Sequence, residues 1–145
     1  MRRARPTAAA SPLADALHRV GDRWTLLVVA ALLEGAKRFN ELQDELEGIA
    51  PNVLSGRLKL LGEQALIVAR PYSERPPRFE YELTESGREL AGALRLLADW
   101  GARGAGQPEP LRHRECGTAL EARWWCPSCE VVVDEDDDAD ELVHV

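Results

Sequence analysis

After Ala65 the hydrophobic period of this chain changes from about 3.6 residues to 2, directly after two short amphipathic segments. The first segment places Phe39, Leu42 and Leu46 on one helical face. The second opens at Pro51, runs to about Gln64, and carries a stripe of Leu54, Leu58 and Leu61. Gly48-Ile49-Ala50 joins them, so the pair reads as a helix-turn-helix. Beyond it, Ile67-Val68-Ala69-Arg70 reads as a strand, and Phe79-Glu80-Tyr81-Glu82-Leu83 as a second, with Phe79, Tyr81 and Leu83 on the buried face. The stretch Ser73–Arg78 is the expected loop between them. A hairpin directly after a helix-turn-helix is a wing, and the expected fold class is mainly α with a small β-hairpin.

The flanks supply the rest of a core. Ser11-Pro12 is a helix start, a capping hydroxyl before a proline at the first helical position. Leu13, Leu17 and Val20 follow at helical spacing, and Gly21 ends that segment. From about Asp22 to Glu34 the chain is almost wholly apolar, which predicts a core helix buried all round. Thr84 caps a predicted long helix from Glu85 to about Trp100. Its apolar residues cover more than one stripe, so one face belongs to the core and another wants a partner, most economically a second copy. Residues 11–101 thus form the expected domain. Residues 1–10 are predicted disordered and basic, 102–110 a Gly/Pro linker, 111–133 a small separate element, and 134–145 an acidic tail.

Five stretches in order resemble the HxlR family of winged-helix regulators. They are Gly21-Asp22-Arg23-Trp24-Thr25-Leu26-Leu27, Arg38-Phe39-Asn40-Glu41-Leu42, Ile49 through Leu58, Pro77 through Thr84, and Trp100 closing the last helix. The resemblance implies a bacterial or archaeal regulator, dimeric through its first and last helices. Two positions depart from the family pattern. Ser11 stands where many relatives carry a cysteine, which removes a redox switch from that position. Ala65 replaces the glycine that usually follows the recognition helix, while Gly56 and Gly62 appear inside it.

With its leucines turned inward, the recognition helix presents Asn52, Ser55, Gly56 and Lys59 outward, where Asn, Ser and Lys side chains meet base edges or phosphates. Gly56 is expected to let the backbone approach DNA closely. Arg57 lies on the flank, positioned to bond within the protein. Arg38 sits where it can clamp a backbone phosphate, and Arg70, Arg75 and Arg78 line the wing. Against each wing arginine stands the plainer reading of an ion pair with Glu74, Glu80 or Glu82. The net charge of −7 does not exclude DNA, because the acidity is local. Residues 1–112 hold 16 Lys/Arg against 15 Asp/Glu, and residues 113–145 hold 2 against 10. A near-neutral body can still present a basic stripe.

His113, Cys116, Cys126 and Cys129 form the second constellation: H-x2-C, nine intervening residues, then C-x2-C. Ligands two residues apart bite one metal from a tight turn, and four make a tetrahedral structural zinc site. The segment is too short to fold by burial alone, which also favours a metal. The family resemblance implies a similar zinc-ribbon-like extension. Two other readings stand beside it. Cys-Pro-Ser-Cys also resembles a thiol–disulfide motif, though no βαβ context surrounds it, and a metal-free remnant is the third.

No catalytic set is legible, so no enzyme is expected. No run approaches the roughly 18 apolar residues of a membrane span, and the three cysteines suit a reducing compartment, so a cytoplasmic protein is expected. The function expected is operator binding by a homodimer, with the recognition helix in the major groove and the wing on the flanking minor groove or backbone. The alternative is a winged helix used as a protein-interaction module, docking on the transcription machinery through its zinc element and acidic tail.

Overall fold

Two side-chain caps begin the helical part of the protein, whose computed structural model describes residues 11–104 and 110–133. Ser11 Oγ accepts the Ala14 amide at 3.1 Å and starts α1 (Pro12–Val20), with Pro12 in its first turn. The Asp22 carboxylate accepts the Trp24 and Thr25 amides at 3.1 and 3.2 Å and starts α2 (Arg23–Leu32). It also accepts the Thr25 hydroxyl, which satisfies a polar side chain wholly buried in the core. The order continues β1 (Lys37–Arg38), α3 (Phe39–Glu45), α4 (Pro51–Glu63), β2 (Ile67–Glu74), β3 (Pro77–Leu83), α5 (Glu85–Arg88), α6 (Ala91–Gly104), β4 (Trp124–Cys126) and β5 (Val131–Val133).

The chain divides into two units, Met1–Leu94 and Arg95–Val145. In the first, Val28 and Val29 of α2, Leu42 of α3, Leu54 and Leu61 of α4 and Leu83 of β3 meet in one cluster with Leu66 and Ile67. Each such side chain contributes about 1.5–3 kcal/mol by leaving water. Between α3 and α4 the chain turns at Gly48, whose φ of +87° favours glycine, and Ile49 drops back into the core. The sheet is antiparallel in the order β1-β3-β2.

Four expectations change in detail. β1 is an added strand, two residues long, pairing Lys37 with Tyr81 and Arg38 with Glu80; two residues are too few to show an alternation. The wing is longer than expected, since β2 runs to Glu74 and β3 starts at Pro77, leaving Arg75-Pro76 as its tip. Burial therefore fades along β3: Leu83 is buried, Tyr81 half-buried and Phe79 41 % exposed, because the tip projects beyond the helices. Nor is α2 buried all round, as Leu27 reaches solvent.

The expected single last helix is two. Gly87 is pressed so closely against Leu66 that a Cβ would lie 2.2 Å from the Leu66 carbonyl oxygen. The chain then tightens, with the Leu90 amide donating to Gly87 O at 3.3 Å, before α6 begins. That helix continues past Trp100 to Gly104, its last turn carrying an i,i+4 pair of Arg103 with Asp99 at 3.7 Å. The predicted linker thus loses its first residues to helix, and 105–109 lie outside the described residues.

In the second unit, β4 and β5 form an antiparallel hairpin pairing Trp124 with Val133, Trp125 with Val132 and Cys126 with Val131. None of residues 110–133 is buried. Residues 1–10 and 134–145, expected as a basic arm and an acidic tail, lie outside the described residues.

Candidate nucleic-acid interface

The leucine stripe of α4 fixes which of its residues face out. Leu54, Leu58 and Leu61 are buried, and Asn52, Ser55, Gly56 and Lys59 are all exposed, as the spacing predicts. Among them Lys59 makes only a loose pair with Glu63, at 3.9 Å. On the flank, Arg57 Nε lies 3.0 Å from Asp22 Oδ1. The N–H is poorly aimed at that oxygen, so the contact is an ion pair rather than a hydrogen bond. Burial alone would push the Asp22 carboxyl up. The Thr25 hydroxyl and amide, the Arg57 charge and the Trp24 amide outweigh it and hold the group below its usual 3.8. One carboxylate thereby starts α2 and braces α4, a role for Asp22 that sequence spacing did not reveal.

The wing arginines divide. Arg70 Nε donates to Glu82 at 2.9 Å, and Arg88 reaches the other oxygen of that carboxylate at 3.2 Å, so Arg70 follows the plainer ion-pair reading. Arg75 and Arg78, at the tip, carry no ion pair among the described residues and are exposed. Arg38 caps α3 through its backbone, its amide donating to Glu41 at 2.6 Å. Its guanidinium lies 4.3 Å from the centre of the Tyr72 ring. Tyr72 is a residue sequence reading passed over, because it sits at a break in the strand alternation.

The Cys/His residues form two pairs. His113 Nδ1 lies 3.2 Å from Cys116 Sγ, inside a turn closed by the Gly117 amide donating to His113 O at 2.8 Å. Hydrogen bonds from the Thr118 hydroxyl and amide, then from His113, lower the Cys116 thiol to about 7. The Cys129 and Ser128 amides act likewise on the Cys126 sulfur. Both turns thus point amides at a sulfur, as a metal-binding knuckle does. The two pairs do not converge: among the described residues no three His, Cys, Asp or Glu side chains gather closely enough to hold a metal.

The HxlR-like helix-turn-helix family matches residues 19–108. The chain belongs to this family. It is 43 % identical over 118 residues to an HTH-type transcriptional regulator of Mycobacterium tuberculosis, covering 79 % of this chain and 74 % of that one. It is 36 % identical over 86 residues to the HTH-type transcriptional regulator YtcD of Bacillus subtilis, covering 59 % of this chain and 68 % of the relative. Among solved structures, the redox regulator HypR in its reduced form matches with a TM-score of 0.62 and 29 % identity, over 66 % of this chain and 94 % of that one. A candidate transcription factor of Pseudomonas aeruginosa matches with a TM-score of 0.63 and 34 % identity, over 85 % and 86 %. This HxlR-family chain is therefore a winged helix-turn-helix DNA-binding transcriptional regulator. Within the HxlR pattern, its Ser11 serves as a helix cap, and its Ala65 holds the glycine conformation at a φ of +56°.

Proposed function

We propose that this regulator binds operator DNA in the cytoplasm as a homodimer, with α4 in the major groove and the wing against the flanking minor groove or backbone. The observation that carries the reading is the exposed polar face of α4, Asn52, Ser55, Gly56 and Lys59, on a helix whose other face is locked into the core. Dimerisation is supported by apolar side chains left in solvent: Leu13 and Leu17 on α1, and Leu96, Leu97 and Trp100 on α6, the last 68 % exposed. Footprinting and light scattering test it together. Two protected half-sites about one helical turn, roughly 10 bp, apart or a multiple of that, bound by two chains, are expected. A monomer on a single asymmetric half-site would overturn the dimeric reading.

The second unit is proposed to close on one structural zinc through His113, Cys116, Cys126 and Cys129. The two sulfur-directed turns and the lack of any buried core in 110–133 support this. Elemental analysis of protein purified without chelator should give one zinc per chain, absent in Cys126→Ser. Metal-free wild type would end the proposal.

A further inference from the structure

The wing and the start of α3 enclose a cleft of about 520 Å³, walled by Arg38, Phe39, Tyr72, Arg78, Phe79 and Tyr81. Arg38 belongs to β1 and is paired directly with Glu80 of the neighbouring strand β3. Side chains so paired lie within reach of one another, and opposite charges there attract. Arg38 makes no ion pair among the described residues; its guanidinium lies over Tyr72 of β2 instead, on the far side of β3. A break in the β2–β3 register makes this contact possible. Pro71 pairs with Phe79 and Ser73 with Arg78, so Tyr72 is the extra, unpaired residue. A bulge of this kind re-aims the side chain it carries. Among the described residues, the cleft therefore holds two guanidinium groups without a carboxylate partner, Arg38 and Arg78. Its one lining carboxylate, Glu41, is engaged by the Arg38 amide. Two cations beside apolar ring faces suit a phosphodiester with its sugar.

We propose that this cleft seats one DNA backbone phosphate, and that Tyr72 is the positioning residue that holds Arg38 for it. The proposal rests on the DNA-binding reading and adds to it a defined seat and a residue with a single role. A guanidinium already placed on a ring loses less freedom when it meets the phosphate. Tyr72 is 43 % exposed and outside the core, so its replacement leaves the fold in place.

The test has two parts. In the free protein, the Arg38 Nε–H resonance should be shifted upfield by the Tyr72 ring in wild type and Tyr72→Phe, and return to an ordinary position in Tyr72→Ala. An unshifted wild-type resonance overturns the proposal whether or not DNA binds. In the second part, duplex DNA is titrated against wild type, Tyr72→Ala, Arg38→Ala and the double variant. Tyr72→Ala should weaken binding about two- to five-fold, the range of an exposed cation–π contact, and Tyr72→Phe should restore it. Arg38→Ala should lower the salt slope by about 0.9, one phosphate. In the Arg38→Ala background Tyr72→Ala should cost nothing more. An equal loss in both backgrounds would make Tyr72 an independent contact and end its positioning role. Duplex should move the Arg38 resonance, whereas inorganic phosphate at matched ionic strength should not; a full response to inorganic phosphate would make the cleft a free-anion site instead. Failure of wild type to bind any duplex would fall on the DNA-binding reading, while the ring-current shift still decides the stack.

Discussion

Ala65 carries a left-handed backbone, φ +56°, directly after the recognition helix, and Thr84 Oγ donates to its carbonyl at 2.7 Å. A side chain there costs about 1 kcal/mol, offset in part by the freedom glycine gains when unfolded. Ala65→Gly should raise the unfolding free energy by about 0.5 kcal/mol in a urea melt; a loss would show that the local strain is not real. Gly56 and Gly62 are the opposite case, because a Cβ at either meets nothing within 4 Å. Both alanine variants should stabilise the helix by about 1 kcal/mol. Only Gly56→Ala should also weaken DNA binding, since only that position lies on the proposed reading face. Equal affinities for the two variants would remove Gly56 from the interface. Asp22 gives a pH-dependent case. Its carboxyl is held below the usual value when folded, so its contribution is complete above about pH 4 and fades as pH falls through the lowered value. Asp22→Ala should therefore cost about 1 kcal/mol near neutrality and progressively less below pH 4, read from thermal melts across pH.

At the scale of elements, most helices were legible because they carry their own start signal or apolar stripe. Ser11-Pro12, Asp22, Pro51 and Thr84 stand where helices begin, and the α4 leucines turned out buried as their spacing required. What escaped depends on pairing between distant segments. β1 exists only because β3 lies beside it, and the Tyr72 bulge is a mismatch between two strands that neither strand reveals alone. The split at Glu89-Leu90 follows from the close approach of Gly87 to Leu66, a contact 21 residues apart in sequence. The same contact yields a prediction for α5. Gly87→Ala would set a methyl against a backbone oxygen that cannot move aside, and should destabilise by at least about 2 kcal/mol, the range of an overpacked core site. A variant as stable as wild type would show that this packing is loose.

At the scale of the molecule, the family and its DNA-binding role were readable from motif order. The proposed contact residues differ in their surroundings: Arg70 is tied to Glu82, whereas Arg38 and the wing-tip arginines make no ion pair among the described residues. The charge split gives the sequence beyond Val133 two readings, a solvating terminus or a tethered competitor for those arginines. Deleting 134–145 should tighten nonspecific DNA binding at low salt if it competes, with the gap closing as salt rises, and change nothing if it only solvates. In the proposed complex α4 reads sequence while the wing arginines bind phosphates. This division of roles is tested most directly by measuring duplex affinity against salt for wild type, Asn52→Ala and Arg78→Ala, on operator and unrelated DNA. Asn52→Ala should lose the preference for operator at an unchanged salt slope, and Arg78→Ala should weaken both duplexes alike with the slope lowered by about 1. Wild-type preference and affinity in both variants would overturn that division of roles.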